Sequence, residues 1–372
     1  MVTRRNRKGE RIMERIKVGV IGATGMVGQN YIRLLRNHPW FEVTYVAASP
    51  RSAGKTYEQA VSGRWLMPEP APERIKALVV QDANLVEAAR GKCELVFSAI
   101  EVDKDTVRRL EEEYAKNGIP VVSNNSAHRS TPDVPMMVPE VNPGHAELIR
   151  FQRAQRGWQK GLIAVKPNCS IQSYVTPLFA LIEAGYRLEA VIVTTLQAVS
   201  GAGFPGPASL QMIDNVIPFI KGEEEKSELE PMRILGQLRD GRVIPDSSFK
   251  ISAHCNRVPV LDGHMACVSV KFNGRKPLAE DITKIWKSFA AEPQKLELPS
   301  APPEAIIYRE ELDRPQPRMD RDAGRGMAVT VGRLRKCEVF DYRFVGLSHN
   351  TVRGAAGGAI LTAELLKAKG FF

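Results

Sequence analysis

A doubly wound parallel α/β domain followed by a second, α+β domain is the fold class that this sequence predicts, and three observations predict it. A strand, a glycine turn and a helix follow one another over residues 16–36. Short apolar runs then alternate with helical patterns as far as residue 123. Beyond residue 169 the apolar runs lengthen, as in a largely antiparallel sheet. At 372 residues the chain also exceeds what one core usually supports, so about two domains are expected.

Taken in order, residues 16–22 read as a short buried strand, and 26–36 carry apolar residues at helical spacing. Residues 41–48 read as a second strand, which makes the segment a βαβ unit of Rossmann type. Further strands are expected at 77–80, 95–98 and 120–123, with a charged helix at 104–117. In the second half, 188–199, 265–272, 327–334 and 338–347 read as strands, and 278–291 as a helix. The closely spaced small residues of 350–360 suit a helix packed tightly against the first domain. The expected organisation is a basic tail over 1–12, a nucleotide domain over 13–166 plus 350–372, and a substrate and dimerisation domain over 167–349.

Composition excludes several classes. Hydrophobic residues make up 43% and charged residues 25%, as in an ordinary globular protein. No apolar run approaches the roughly 20 residues that cross a membrane. No signal-peptide stretch follows the basic N-terminus, so a cytoplasmic protein is expected. Cys93, Cys169, Cys255, Cys267 and Cys337 are scattered, without a C-x-x-C pair or His/Cys ligand spacing; neither disulfides nor a metal site is indicated. Of the net charge of +10, the first twelve residues supply five basic and one acidic side chain. With no nucleic-acid motif beside them, a solvated tail is favoured over a nucleic-acid arm.

Gly22-Ala23-Thr24-Gly25-Met26-Val27-Gly28 has the spacing G-x-x-G-x-x-G between a strand and a helix, where glycines let the backbone approach a pyrophosphate. The competing reading is a tight strand-to-helix connection without a ligand. No acidic side chain ends the second strand to bind the ribose hydroxyls of NAD. Ser49, Arg51, Ser52 and Lys55 stand there instead, offering hydroxyls and cations to a 2′-phosphate, so NADP(H) is favoured. Either cation would equally serve as a solvated loop charge.

Cys169, in Pro167-Asn168-Cys169-Ser170 ahead of a helical run, is placed where backbone N–H groups favour thiolate. Alone, it reads equally as a small core residue. His264, at an Asp-Gly turn, is the leading acid/base candidate, with a hydrogen-bonded turn histidine as the alternative. Arg257 suits a carboxylate clamp or an ordinary salt bridge.

Together, Gly22–Gly28, Pro167–Ser170, Leu196-Gln197-Ala198-Val199-Ser200-Gly201, Arg257–His264 and Ser348–Gly354 resemble, in this order, the motifs of aspartate-semialdehyde dehydrogenases of the archaeal and fungal type, over about residues 13–372. The resemblance implies the reversible, phosphate-dependent interconversion of aspartate β-semialdehyde and β-aspartyl phosphate with NADP(H), in biosynthesis of lysine, threonine and methionine. It implies Cys169 as nucleophile, His264 as general acid/base, and Gln197 with Asn168 orienting the thioester. Arg257 would hold the substrate carboxylate, Arg129 and Lys226 phosphate, and Glu223 the substrate ammonium, with Glu224 and Glu225 open as alternatives. Thr24, Gly25, Met26, Val27, Ser98, Ser200, Gly201 and Asn350 match cofactor-contacting stretches, and a homodimer or homotetramer is expected. The competing functions are malonyl-CoA reductase on the same scaffold and a non-catalytic NADP-binding sensor whose tail binds nucleic acid.

Overall fold

The computed structural model describes residues 3–5 and 11–372. Within the expected tail, β1 (Thr3–Arg5) pairs antiparallel with β2 (Arg11–Met13), so its described part is a short ribbon rather than unstructured chain. The rest divides into two compact units.

The first unit takes residues up to 134, 149–165 and 369–372. Its six-stranded sheet comprises β3 (Ile16–Ile21), β4 (Phe41–Ala48), β5 (Gln81–Asp82), β6 (Leu95–Ser98), β7 (Val121–Ser123) and β8 (Ile163–Val165). All pairs are parallel, in the order β5-β4-β3-β6-β7-β8. Helices cover both faces of such a sheet, which is why β6, β7 and β8 are buried at every position and read as unbroken apolar runs. The order reverses between β3 and β6, the place where this architecture opens a crevice for a dinucleotide. One expected strand moves: 77–80 gives way to β5, because Leu78 and Val80 are already bonded to the loop at Lys55–Tyr57.

Glu111, on the helix Lys104–Lys116, is fully buried and accepts from the Ser123 hydroxyl at 2.6 Å and the Asn125 amide at 3.0 Å. Burial raises its pKa against the opposing hydrogen bonds. The native state therefore favours the protonated acid, whose contribution to stability is present at low pH and is lost as pH rises through the folded pKa. Glu111→Gln is expected to raise the melting temperature at pH 8 more than at pH 5; an equal shift at both would contradict this sign.

The second unit takes residues 135–148 and 166–368. It contains β9 (Arg187–Gln197), the separate hairpin of β10 (Gln237–Arg239) and β11 (Arg242–Ile244), β12 (Lys250–Arg257), β13 (His264–Asn273), β14 (Ile306–Arg309), β15 (Val329–Lys336) and β16 (Tyr342–Ser348). The main sheet runs β12-β9-β13-β16-β15-β14, with β12 parallel to β9, β14 parallel to β15 and the other pairs antiparallel. The buried Trp286, on the helix Ala279–Ser288, donates its ring N–H to Pro177 O at 3.0 Å and meets Phe344 edge-on, fixing helices to one face of the sheet.

Two expectations change here. The strand β12 is absent from the expected set: it turns Ala253, Cys255 and Arg257 inward, too weak an apolar alternation to read from sequence. Residues 350–368 belong to the second unit rather than the nucleotide domain. A Cβ at Gly357 would lie 2.6 Å from Met327 Sδ and one at Gly358 2.3 Å from Arg353 O, so the small residues serve packing within this unit. Their spacing announces close approach without saying to what.

Candidate active site

In the first unit the glycine turn is built by steric exclusion. Gly22 has φ +79°, and a Cβ on it would stand 2.4 Å from Ala99 O; one on Gly28 would stand 2.2 Å from Gly22 O. The helix Met26–Leu34 starts from Gly25, which supplies no side-chain cap, so the first-turn amides of Met26 and Val27 are directed at whatever lies ahead of the helix. Tyr57 donates its hydroxyl to Ala23 O at 2.9 Å, and the buried Gln29 amide donates to Thr24 O at 3.1 Å. Ser98 ends β6, buried, its hydroxyl accepting from Asn125.

Beyond β4, Arg51 and Lys55 are exposed and Ser49 is half-buried. Ser52 is buried and accepts from the Arg64 guanidinium at 3.4 Å. Arg64 is a cation that the sequence reading missed. Its Nε donates to Ala60 O at 3.1 Å, and its carbonyl accepts from Gln29, the same side chain that holds the glycine turn. Arg129 also lies in this unit, donating to Asn124 O at 3.2 Å.

In the second unit, strand register assembles the rest. Arg257 at the end of β12 is opposite Gln197 at the end of β9, Met265 is opposite Leu196, and His264 is opposite Ser348, so Gln197, Arg257 and His264 meet at one end of three adjacent strands. All three are buried. Arg257 Nη1 donates to Ala198 O at 2.7 Å, and Ala198 N–H donates to His264 Nδ1 at 3.0 Å. A Cβ on Gly201 would lie 2.8 Å from Arg257 Nη1 and 3.0 Å from His264 Nε2, so this glycine lets both groups face one small space. Asn350 holds the rim, accepting from Gly263 N–H and donating to Ser200 Oγ, each at 2.8 Å.

Cys169 precedes the short helical turn Ser170–Ser173, which leads into the helix Val175–Glu183. The turn sits directly on β16, because a Cβ at Gly346 would be 2.0 Å from Ser173 O. Behind the thiol stands Gly354, whose Cβ would lie 2.8 Å from Cys169 Cβ. The neighbouring Arg353 is buried and fixed to Glu140 and Met327 O at 2.7 Å each and to Thr176 Oγ1 at 3.1 Å, so it ties the glycine to the helix that follows the cysteine turn. Arg257 interacts electrostatically with Cys169, and burial lowers the arginine's own pKa. Gly354→Ala is accordingly expected to slow alkylation of Cys169 about 10-fold or more while the protein stays folded, since the methyl group must displace Cys169 Cβ and with it the thiol; unchanged alkylation would show that the wall yields.

Of the three adjacent glutamates, Glu223 is the one that faces Asn168 and Gln197. Glu223 is buried and accepts from Asn168 Nδ2 at 2.9 Å, Gln197 Nε2 at 3.3 Å and Lys226 Nζ at 2.8 Å. Glu224 instead accepts from Cys255 N–H, and Glu225 is exposed. Burial alone would raise the Glu223 carboxyl, but the Lys226 charge and these hydrogen bonds outweigh it and hold the pKa down. Asn168 uses both ends of its amide, donating to Glu223 and accepting from Ser170 N–H and Oγ, while Glu230, also absent from the sequence reading, accepts from its main-chain N–H. Asn168 is thus a brace for the cysteine loop.

Comparison with known proteins decides the lineage. Residues 17–149 match the family model of the semialdehyde dehydrogenase NAD binding domain, and residues 178–353 that of the semialdehyde dehydrogenase dimerisation domain. The aspartate-semialdehyde dehydrogenase of Archaeoglobus fulgidus is 47% identical over 95% of this chain and 98% of its own length. The chain belongs to the aspartate-semialdehyde dehydrogenase family. The family member from Cryptococcus neoformans is 43% identical over 95% of this chain and 98% of its own. The crystal structure of aspartate-semialdehyde dehydrogenase with NADP from Candida albicans superposes with a TM-score of 0.86 at 41% identity, covering 96% of this chain and all of that one.

Proposed function

We propose that this chain is an aspartate-semialdehyde dehydrogenase, reducing β-aspartyl phosphate with NADPH to aspartate β-semialdehyde and phosphate, reversibly, in the supply of lysine, threonine and methionine. The observation that carries the reading is the convergence of Cys169, Arg257, Gln197 and His264 in a unit of a family with this activity. Cys169 attacks the acyl carbon and expels phosphate, and the resulting thioester keeps that carbon electrophilic where a carboxylate would resist reduction. NADPH supplies the hydride when bound. Arg257 holds the substrate carboxylate, Glu223 its ammonium, and Arg129 with Lys226 the phosphate. Gln197 orients the acyl group, and His264 serves as the general acid/base.

The fit of the glycine turn to a dinucleotide rests on the space that side chains at Gly22 and Gly28 would fill. Met26, Val27 and Gly28 hold the pyrophosphate, Thr24, Gly25 and Ser98 line it, and Ser200, Gly201 and Asn350 serve the nicotinamide end. Ser49, Arg51, Ser52, Lys55 and now Arg64 form the pole for the 2′-phosphate. Arg64 is exposed like Arg51, but it is already held by Ala60 O and Ser52 Oγ, so less side-chain entropy is lost in binding. Arg64→Ala is expected to weaken NADPH about 10-fold or more and NADH less than about twofold, with Arg51→Ala intermediate. Fluorescence titrations with both cofactors test it, and equal weakening of both would reduce Arg64 to a loop support.

The family model over 178–353 is a dimerisation domain, and this unit leaves Phe204, Leu210, Ile213 and Phe219 exposed. A homodimer or a pair of dimers, in the cytoplasm, is the assembly proposed. Among the described residues no helix is long and apolar enough to cross a membrane. The deciding assay follows NADPH formation from aspartate semialdehyde with and without phosphate, beside NADPH oxidation with malonyl-CoA. Activity with malonyl-CoA alone would overturn the substrate.

A further inference from the structure

The acyl-transfer chemistry makes no use of Glu111, whose carboxyl is fully buried on the helix Lys104–Lys116. One oxygen, Oε1, accepts from Ser123 Oγ at 2.6 Å and from Asn125 Nδ2 at 3.0 Å. The other, Oε2, is buried without a hydrogen-bond partner among the described residues. A desolvated acid with an unpaired oxygen costs stability, and burial raises its pKa accordingly. A leucine of similar size would pack on the same helix face, beside Val107, Leu110 and Tyr114, without that cost. What leucine cannot supply is one acceptor shared by two residues of another segment.

That segment is the loop after β7. Ser123 ends the strand, and its hydroxyl, besides donating to Glu111, accepts the main-chain N–H of Asn125 at 3.0 Å. Asn125 divides its amide protons between Glu111 Oε1 and Ser98 Oγ, the latter at 3.1 Å, so the carboxyl joins the ends of β6 and β7, which the sheet sets side by side. Between the two held residues lies Asn124. Its N–H donates to Ser98 O at 2.9 Å, and its carbonyl accepts from Arg129 Nη2 at 3.2 Å. One turn earlier on the same helix, Arg108 Nε donates to Ala127 O at 2.9 Å. The loop is thus fixed to the helix at Ser123, Asn125 and Ala127, on both sides of the carbonyl that the Arg129 guanidinium engages. A loop without these holds would have to order itself at each binding event, which costs conformational entropy.

We propose that Glu111 is a positioning residue for phosphate: by holding Ser123 and Asn125 it fixes the Asn124 carbonyl against which Arg129 is braced, and so sets the guanidinium for the phosphate that the acyl group takes up or releases. The inference rests on the assignment of phosphate to Arg129 in the proposed reaction. The role needs an acceptor and not a negative charge, because both partners are neutral donors, and glutamine can present the same carbonyl oxygen.

The test is steady-state kinetics of the full chain in the phosphorylating direction, with aspartate semialdehyde, NADP+ and inorganic phosphate. Glu111→Leu, which fills the space but cannot accept, is expected to lower kcat/KM for phosphate about 10-fold, with KM for NADP+ and the rate of Cys169 alkylation by iodoacetamide each within about twofold of wild type. Glu111→Gln is expected to stay within about twofold in all three. In an Arg129→Ala background, Glu111→Leu should cost less than about twofold further, since the positioned group is already gone. A part confined to stability would instead shift the melting temperature and leave the phosphate dependence as it is. Should Glu111→Leu not fold, Ser123→Ala cuts the same link by removing one oxygen, and is expected to lower kcat/KM for phosphate about threefold or more. An unchanged kcat/KM for phosphate in the folded variant, an equal loss in Glu111→Gln, or full additivity with Arg129→Ala would each overturn the proposal. Failure of the underlying reading is distinguishable, because then Arg129→Ala itself would leave the phosphate dependence unmoved.

Discussion

Cys169→Ser is expected to lower turnover by a factor on the order of 10⁴ or more while leaving NADPH affinity within about twofold. A serine hydroxyl fits the space behind which Gly354 stands, so the fold and the wall around the residue are retained. What changes is chemical: a thiol ionises near pH 8.5 and Cys169 lies in the field of the Arg257 charge, whereas an alcohol stays protonated. Cofactor titration and rapid-quench trapping of acyl-enzyme separate the two effects. A variant that retains most of its turnover would remove Cys169 as nucleophile.

The second large effect is at His264. Truncation to alanine is expected to reduce kcat by about 10²–10⁴, the range for losing a general acid/base, with KM for substrate changed far less. The Ala198 amide is left without its acceptor, at a further cost of about 1–3 kcal/mol in stability. Thermal unfolding and steady-state kinetics on the same preparation therefore report different losses. A large rise in KM with kcat unchanged would mean that the ring binds ground state and transition state alike.

The first unit was largely legible because its signals are local. Buried parallel strands read as apolar runs, and Gly22–Gly28 announces its turn through residues whose missing side chains are physically required. Cys169 and His264 stood out by chemical type. The relations that give those residues their character did not, because they are long-range. Nothing near His264 says that Ala198 donates to it, nothing near Ser52 names Arg64, and Glu223 is distinguished from Glu224 and Glu225 by which way one helix faces Asn168 and Gln197. The same holds for the small residues after Asn350, whose pattern fixes close packing but leaves its partner open.

The wall behind Cys169 has a consequence in time. Gly354 and Arg353 are separated from the thiol by about half the chain, so the surroundings of this cysteine cannot be finished while the ribosome is still adding the intervening residues. A chain arrested between β9 and β16 holds an unshielded thiol without Gly354, and without the His264 ring if the arrest falls before β13. Selectivity toward acyl phosphates is thus acquired at the end of synthesis, and any earlier reactivity of the sulfur is that of an ordinary exposed cysteine.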